Sequence, residues 1–512
     1  MASQRISLAF LVGCIAFLGA EAALAQKTKD TIRVGLLDPI RVVDSIFDPK
    51  QETSFVTGSV FDNVIRYDDR AGEFKPLLAK SFKRVSDTVV EVEMRDDQNW
   101  HDGEKVTADD VVALYEWILD PKTMLRNKDN HTWLQAVEKV GPNRVRYTAK
   151  AINTMDLWQI ANTDIYPKHI HSKLENRETF GQKPVGSGPY RVVEFDRNKG
   201  ATLERWEAYK PVGDWHKASN VRRFVAVGIP DSQTRVAQLK VGGIDLIQGL
   251  EKDQTDDLAK DPNLAVTSNQ NLLVVYMLMD AKGRSGVPAL TNVKVRRAIE
   301  MAIDRKSLSM ALIAGADGSG THDFMCDPRM FGCEGTKPVP AYDPASAKKL
   351  LAEAGYPNGF EMVLTATPRV RSIAEGISGY LHEIGIKASV QSVPSVAYRK
   401  LQEDGKINAL LHTFSFLGMA DVGIMMSFYY DDGPRDMAGD ATMFKLRFDG
   451  ENTMDPAKRK ATYREALDRI NENAYNMVIS AYPATFVHTK DIRIETGSMS
   501  PYGAILEDIY WK

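Results

Sequence analysis

Nine histidines and three cysteines are spread over 512 residues, and few of them stand where chemistry needs company. His382-Glu383 opens like a zinc-protease helix, in which His-Glu-x-x-His places two imidazoles on one face, but the second histidine is missing. His169 and His171 would share one face of a strand, yet no third ligand accompanies them at metal-site spacing. Ser187 and Ser319 sit in Gly-Ser-Gly turns, not in the Gly-x-Ser-x-Gly elbow that presents a nucleophile, and neither has an identifiable base. The chain contains no Walker loop, so it does not hydrolyse ATP itself. His101-Asp102-Gly103 reads as a surface turn. The pattern is that of a protein without catalysis and without a cofactor. An exported hydrolase and a chaperone-like holder of unfolded chains are the rival classes.

The elements that must position any site alternate in type. Thr31–Leu37 and Thr88–Met94 alternate apolar and polar residues and are read as strands. Thr107 followed by Asp110 caps a helix whose stripe is Val111, Val112, Tyr115, Ile118 and Leu119. Asp343-Pro344 and Asp455-Pro456 each place a cap before a proline at the first helical position. Gly355 stops the first of these helices and Asn473 the second. Another helix begins near Asn292. Strands and helices alternate along most of the chain, so the class is α/β.

Size and charge bound the rest. A chain of this length holds two or three domains with a substantial core. A net charge of −3 without a basic stripe excludes a nucleic-acid partner. Arg5, the apolar run Leu8–Leu18 and Ala23-Leu24-Ala25 form a secretory signal peptide cut after Ala25. A membrane anchor would need a longer apolar span. Leu11-Val12-Gly13-Cys14 resembles a lipoprotein signal, but the apolar core ahead of it is too short. Export leaves Cys326 and Cys333, with six residues between them that include Asp327-Pro328 and Gly332, as either a local disulfide or two unrelated thiols.

Several segments together resemble the extracellular solute-binding protein family 5, the periplasmic dipeptide-, oligopeptide- and nickel-binding components of ABC importers. They begin with Asn63–Asp68 and Lys75–Ser81. Trp100-His-Asp-Gly-Glu-Lys-Val-Thr-Ala-Asp-Asp-Val-Val112 follows, then Pro184-Val-Gly-Ser-Gly-Pro-Tyr190 and Gly243-Ile-Asp-Leu246. Val293–Lys306, Tyr342–Pro357 and Leu381–Ile386 complete the order. Each segment also has a plain structural reading as turn, cap or helix start.

The resemblance implies a two-lobed periplasmic binding protein fold, with a hinge and an extra domain inserted in the first lobe. The first lobe would comprise 26–62, 184–271 and 486–512, the insertion 63–183 and the second lobe 272–485, behind a signal peptide at 1–25. Ligand would bind between closing lobes, and the inner-membrane permease would recognise the closed form. A monomer suits that mechanism. Peptide-binding relatives hold the α-amino group with an aspartate, and His412-Thr-Phe-Ser-Phe-Leu-Gly-Met-Ala-Asp421 matches that stretch. It points to Asp421 for the ammonium, with a turn or cap role as its alternative, and puts His412 beside the ligand. Phe416 stands where the family has tryptophan, and no Asp-Pro follows. Arg369 or Arg371 would meet a ligand carboxylate. Phe414, Phe416, Trp133 and Tyr398 are candidates for cleft walls, with the core as their alternative. His131-Thr-Trp133 resembles a segment of nickel-binding members, but the downstream Asp-Pro-His is absent, and no metal is expected. The expected ligand is a peptide or peptide-like solute. An opine, a sugar conjugate or another non-peptide solute is the alternative.

Overall fold

The structure is a computed structural model describing residues 30–125 and 128–512; the export signal and Cys14 lie outside the described residues. Three larger sheets organise the chain. A seven-stranded sheet runs in the order Leu264–Asn269, Ala484–Thr489, Leu246–Gln248, Thr31–Leu36, Arg223–Gly228, Gly200–Arg205 and Tyr190–Asp196. A five-stranded sheet runs Lys387–Ser392, Glu361–Ala366, Ala409–Ser415, Leu273–Met279 and Asn476–Ala481. The third, with four strands, lies between residues 79 and 149 and belongs to the insertion.

Alternation within the strands builds a core on both faces of the second-lobe sheet. In Leu273–Met279 every side chain is buried. Val274, Tyr276 and Leu278 join one apolar cluster, while Val275, Met277 and Met279 join the other. The first lobe and the insertion share a core, with Val34 and Phe224 in the same cluster as Val92, Tyr115 and Tyr147. Met155 and Trp158 of the insertion instead pack into the second lobe. The inserted domain therefore touches both lobes.

The helix starts follow from their caps. Thr107 and Asp110 form a capping box at Ala108–Leu119, with the Thr107 N–H donating to Asp110 Oδ2 at 2.8 Å. Asp343 accepts from the Ser346 N–H ahead of Pro344–Glu353, and Asp455 does the same for Ala457 and Lys458 ahead of Pro456–Glu472. His169 and His171 lie on the helical turn Lys168–His171, not on a strand; Pro167 is its cap residue. They do not pair. His169 Nε2 is 2.6 Å from Asp102, and His171 is buried against the rings of Trp117, Tyr166 and Phe180.

His101 is more than a surface turn residue. Its Nδ1 accepts from the Gly186 N–H at 3.2 Å, and its Nε2–H donates to the Gly188 carbonyl at 2.9 Å. Burial lowers its pKa to about 4, so the ring is neutral at pH 7. The glycines are needed there because a Cβ on Gly186 would stand 1.9 Å from the Val60 carbonyl oxygen. Two signature segments remote in sequence thus lock together where the insertion rejoins the first lobe.

The chain crosses between the lobe sheets at 270–272 and again at 482–483, just before the division expected at 485. Beside the first crossing, the Asn269 amide donates to the carbonyls of Ser498 and Gly503, each at 2.7 Å. The same side chain accepts from the Gly497 N–H. One buried residue so ties the crossing to the C-terminal loop.

Candidate ligand-binding cleft

Open α/β sheets bind ligands beyond the carboxyl ends of their parallel strands, where strand order reverses. In the first lobe, Thr31–Leu36 lies between its parallel neighbours Arg223–Gly228 and Leu246–Gln248. In the second, Glu361–Ala366 lies between Lys387–Ser392 and Ala409–Ser415. The crossings leave from the same edges, so the two sets of strand ends face one cleft. Asp38 and Glu251 follow the first set; Thr367, Arg369 and the Phe416–Gly418 loop follow the second.

That position separates the two arginines. Arg371 opens the helix Arg371–Glu383 and pairs with Glu375 at 2.9 Å on an exposed face. Arg369 is exposed at the strand end, with its guanidinium 5.9 Å from the centre of the Tyr482 ring at the second crossing. No ion pair engages it among the described residues. Its charge is felt by His412 beside it and by Glu52 of the first lobe.

The aromatic candidates divide in the same way. His412 lies edge-on to Tyr398 at 4.5 Å, and its Nδ1 is 3.3 Å from the Thr367 hydroxyl. Burial, helped by Arg369 and Arg399, lowers its pKa to about 4, leaving a neutral ring. Phe414 and Phe416 stack edge-to-face at 4.8 Å and are buried with Tyr398 in the second-lobe core. They form the backing of this wall. Trp133 packs against the other core, shared by the first lobe and the insertion. At the end of Ala409–Ser415, Leu417 holds φ at 54° and Gly418 at 75°. A half-exposed leucine in the left-handed region is costly backbone, which structures retain mainly at clamps and binding loops.

Asp421 is buried, and its carboxylate is occupied. Arg459 meets both oxygens, at 2.7 and 2.9 Å, and the Gly423 N–H donates to Oδ1 at 2.8 Å. Arg459 also donates to the Tyr463 hydroxyl, stacks 4.9 Å from Phe331 and touches the sulfur of Met155 from the insertion. Burial pushes the Asp421 carboxyl upward against the pull of Arg459. Burial also opposes the Arg459 charge, but Asp421 and Tyr463 more than offset it. No local pattern announces this partner; Arg459 is one of several cations on a charged helix, and only the fold turns it inward.

Cys326 and Cys333 form a disulfide with Cα atoms 5.9 Å apart. The loop it closes pairs with the Asp421 segment, with the Phe331 N–H donating to the Ala420 carbonyl at 2.9 Å and the Val422 N–H to that of Phe331 at 3.1 Å. Arg329 of the same loop reaches the Gln270 carbonyl at the first crossing. Reduction is expected to lower stability by roughly 2 kcal/mol, the loop-closure entropy of so short a ring. A denaturant melt with and without reductant measures it. Among the described residues, no group of three or more histidine, cysteine or acidic side chains gathers as a metal site would need.

Two α/β lobes joined by two crossings, with the carboxyl ends of their parallel strands facing one cleft, define a hinged solute-binding protein, one that traps a small molecule instead of transforming it. The chain belongs to the bacterial extracellular solute-binding proteins, family 5, whose middle region matches residues 73–435. It is an extracellular solute-binding protein and, like its family, is not an enzyme. Among curated relatives, heme-binding protein A of Haemophilus influenzae is 27% identical over 383 residues, 68% of each chain. The nickel-binding periplasmic protein of Escherichia coli is 25% identical, over 99% of this chain and 98% of its own. The crystal structure of the ABC transporter substrate-binding protein CtaP from Listeria monocytogenes superposes with a TM-score of 0.82 at 22% identity, over 94% of this chain and 99% of that one. The periplasmic binding protein DppA from Helicobacter pylori, solved with the peptide STSA, gives 0.74 at 20% identity, over 94% and 98%.

Proposed function

We propose that this protein captures a small peptide or peptide-like solute in the periplasm and hands it to its permease, with Arg369 binding the ligand carboxylate. One observation carries the reading. An arginine without an ion pair among the described residues stands just past the carboxyl end of Glu361–Ala366, the middle of the three parallel second-lobe strands, facing the other lobe. Closure withdraws that guanidinium from water, so it needs an anion, and a carboxylate supplies bidentate charge-assisted hydrogen bonds. His412, Thr367 and Tyr398 form the wall beside it. Support also comes from the peptide held by the Helicobacter pylori relative.

Native mass spectrometry of protein recovered from the periplasm tests this. The expected spectrum is a monomer that begins after Ala25 and releases a short peptide on denaturation. Release of an opine or sugar conjugate would replace the peptide class while keeping the carboxylate at Arg369. A bound solute without any carboxylate would overturn the reading.

A further inference from the structure

Glu52 lies in the first turn of the helix Gln51–Val60, at the cleft edge of the first lobe, with 8% of its surface exposed. Among the described residues no lysine, arginine or histidine comes within ion-pair distance of it, and its carboxylate is hydrogen-bonded by its own backbone N–H. Arg369 bears on it from the opposite lobe, and Lys50 and Asp38 from its own. Asp38 is itself engaged by Lys50 at 3.7 Å.

Two further buried groups lie near it: the Tyr502 ring is 4.3 Å from that of Phe55, one turn along the Glu52 helix, and Arg235 holds the Gly249 carbonyl next to Gln248, whose amide donates to the Tyr502 carbonyl. The Tyr502 hydroxyl, on a residue 2% exposed, has no hydrogen-bond partner among the described residues. Arg235, also 2% exposed, spends its terminal nitrogens on the carbonyls of Ile229, Pro230 and Gly249 and leaves Nε–H without a partner among the described residues. Tyr502 feels the charges of both Glu52 and Arg235, yet no hydrogen bond joins any two of the three. Buried polar groups are almost always satisfied, and two unpartnered groups near a carboxylate without an ion pair call for a shared partner.

We infer that Glu52, Tyr502 and Arg235 form a first-lobe subsite for the α-amino acyl end of the ligand, opposite Arg369. A ligand ammonium has donors for the Glu52 carboxylate and the Tyr502 oxygen. The carbonyl of the same residue accepts from Arg235 Nε–H, and the carboxylate at the far end reaches Arg369. Each charged terminus of the ligand meets a side chain of opposite sign. Asp421 is not needed for the ammonium, because Arg459 already neutralises it. The assignment rests on the proposed capture of a peptide-like solute.

Three dipeptide pools test it by titration calorimetry: free, N-acetylated and C-amidated. The wild-type protein is expected to bind the free pool at least tenfold more tightly than the acetylated one. Glu52→Gln removes that preference while still binding the acetylated pool, with its thermal midpoint showing that it folds. Tyr502→Phe, which removes only a hydroxyl, reduces the preference about threefold and serves if Glu52→Gln does not fold. Wild-type protein that binds no pool overturns the peptide reading and this subsite with it. Variants that keep the full preference overturn the subsite alone.

Discussion

Asp421→Ala is expected to destabilise the protein by about 3–5 kcal/mol, the usual result of removing one partner from a buried ion pair. The cause is less the lost attraction than what remains. Arg459, 6% exposed, would keep its charge in a pocket walled by Phe331, Tyr463 and Met155, with no carboxylate to meet it. Urea denaturation measures the effect as a fall in midpoint at unchanged slope. Pairing Asp421→Leu with Arg459→Met should return most of the loss, since apolar replacements of a buried pair are often neutral. An Asp421→Ala protein of wild-type stability with weakened ligand binding would show the opposite: that the carboxylate serves the ligand and Arg459 gives way to it.

How far the sequence revealed this molecule depended on the range of the interaction. Caps and turns are local, so Thr107, Asp343 and Asp455 announced their helices, and the observed starts follow them. The His169–His171 pair failed because alternation and a single helical turn cannot be told apart over so few residues. His101 looked like a turn residue because its partners, Gly186 and Gly188, are brought to it by the fold. The cleft was least legible. Arg369 could be nominated but not separated from Arg371 until one was seen on a helix surface and the other at a strand end. Glu52 and Tyr502 carry no local signal. They lie near opposite ends of the chain, and their meaning comes from the partners they lack.

Arg369→Gln is expected to weaken ligand binding by about thirty- to a hundredfold, at little cost to stability. A bidentate guanidinium–carboxylate contact in a closed site is worth roughly 2–3 kcal/mol, since each hydrogen bond to a charged group contributes about 1.5–3 kcal/mol and the two share one desolvation. Glutamine keeps the stem and one donor but neither the charge nor the fork, so the change reads recognition and not packing. Stability should hold because Arg369 is exposed and, among the described residues, engages the face of Tyr482, an interaction worth about 0.5–1 kcal/mol at such a site. Arg371→Gln is the internal control. Its ion pair with Glu375 is a solvated i, i+4 contact, and its loss should leave affinity unchanged. Calorimetry on both variants, with ligand identified from the native protein, decides the matter. Equal affinity in Arg369→Gln and wild type would remove the anion site from this strand end, and with it the physical basis for a carboxylate-bearing ligand.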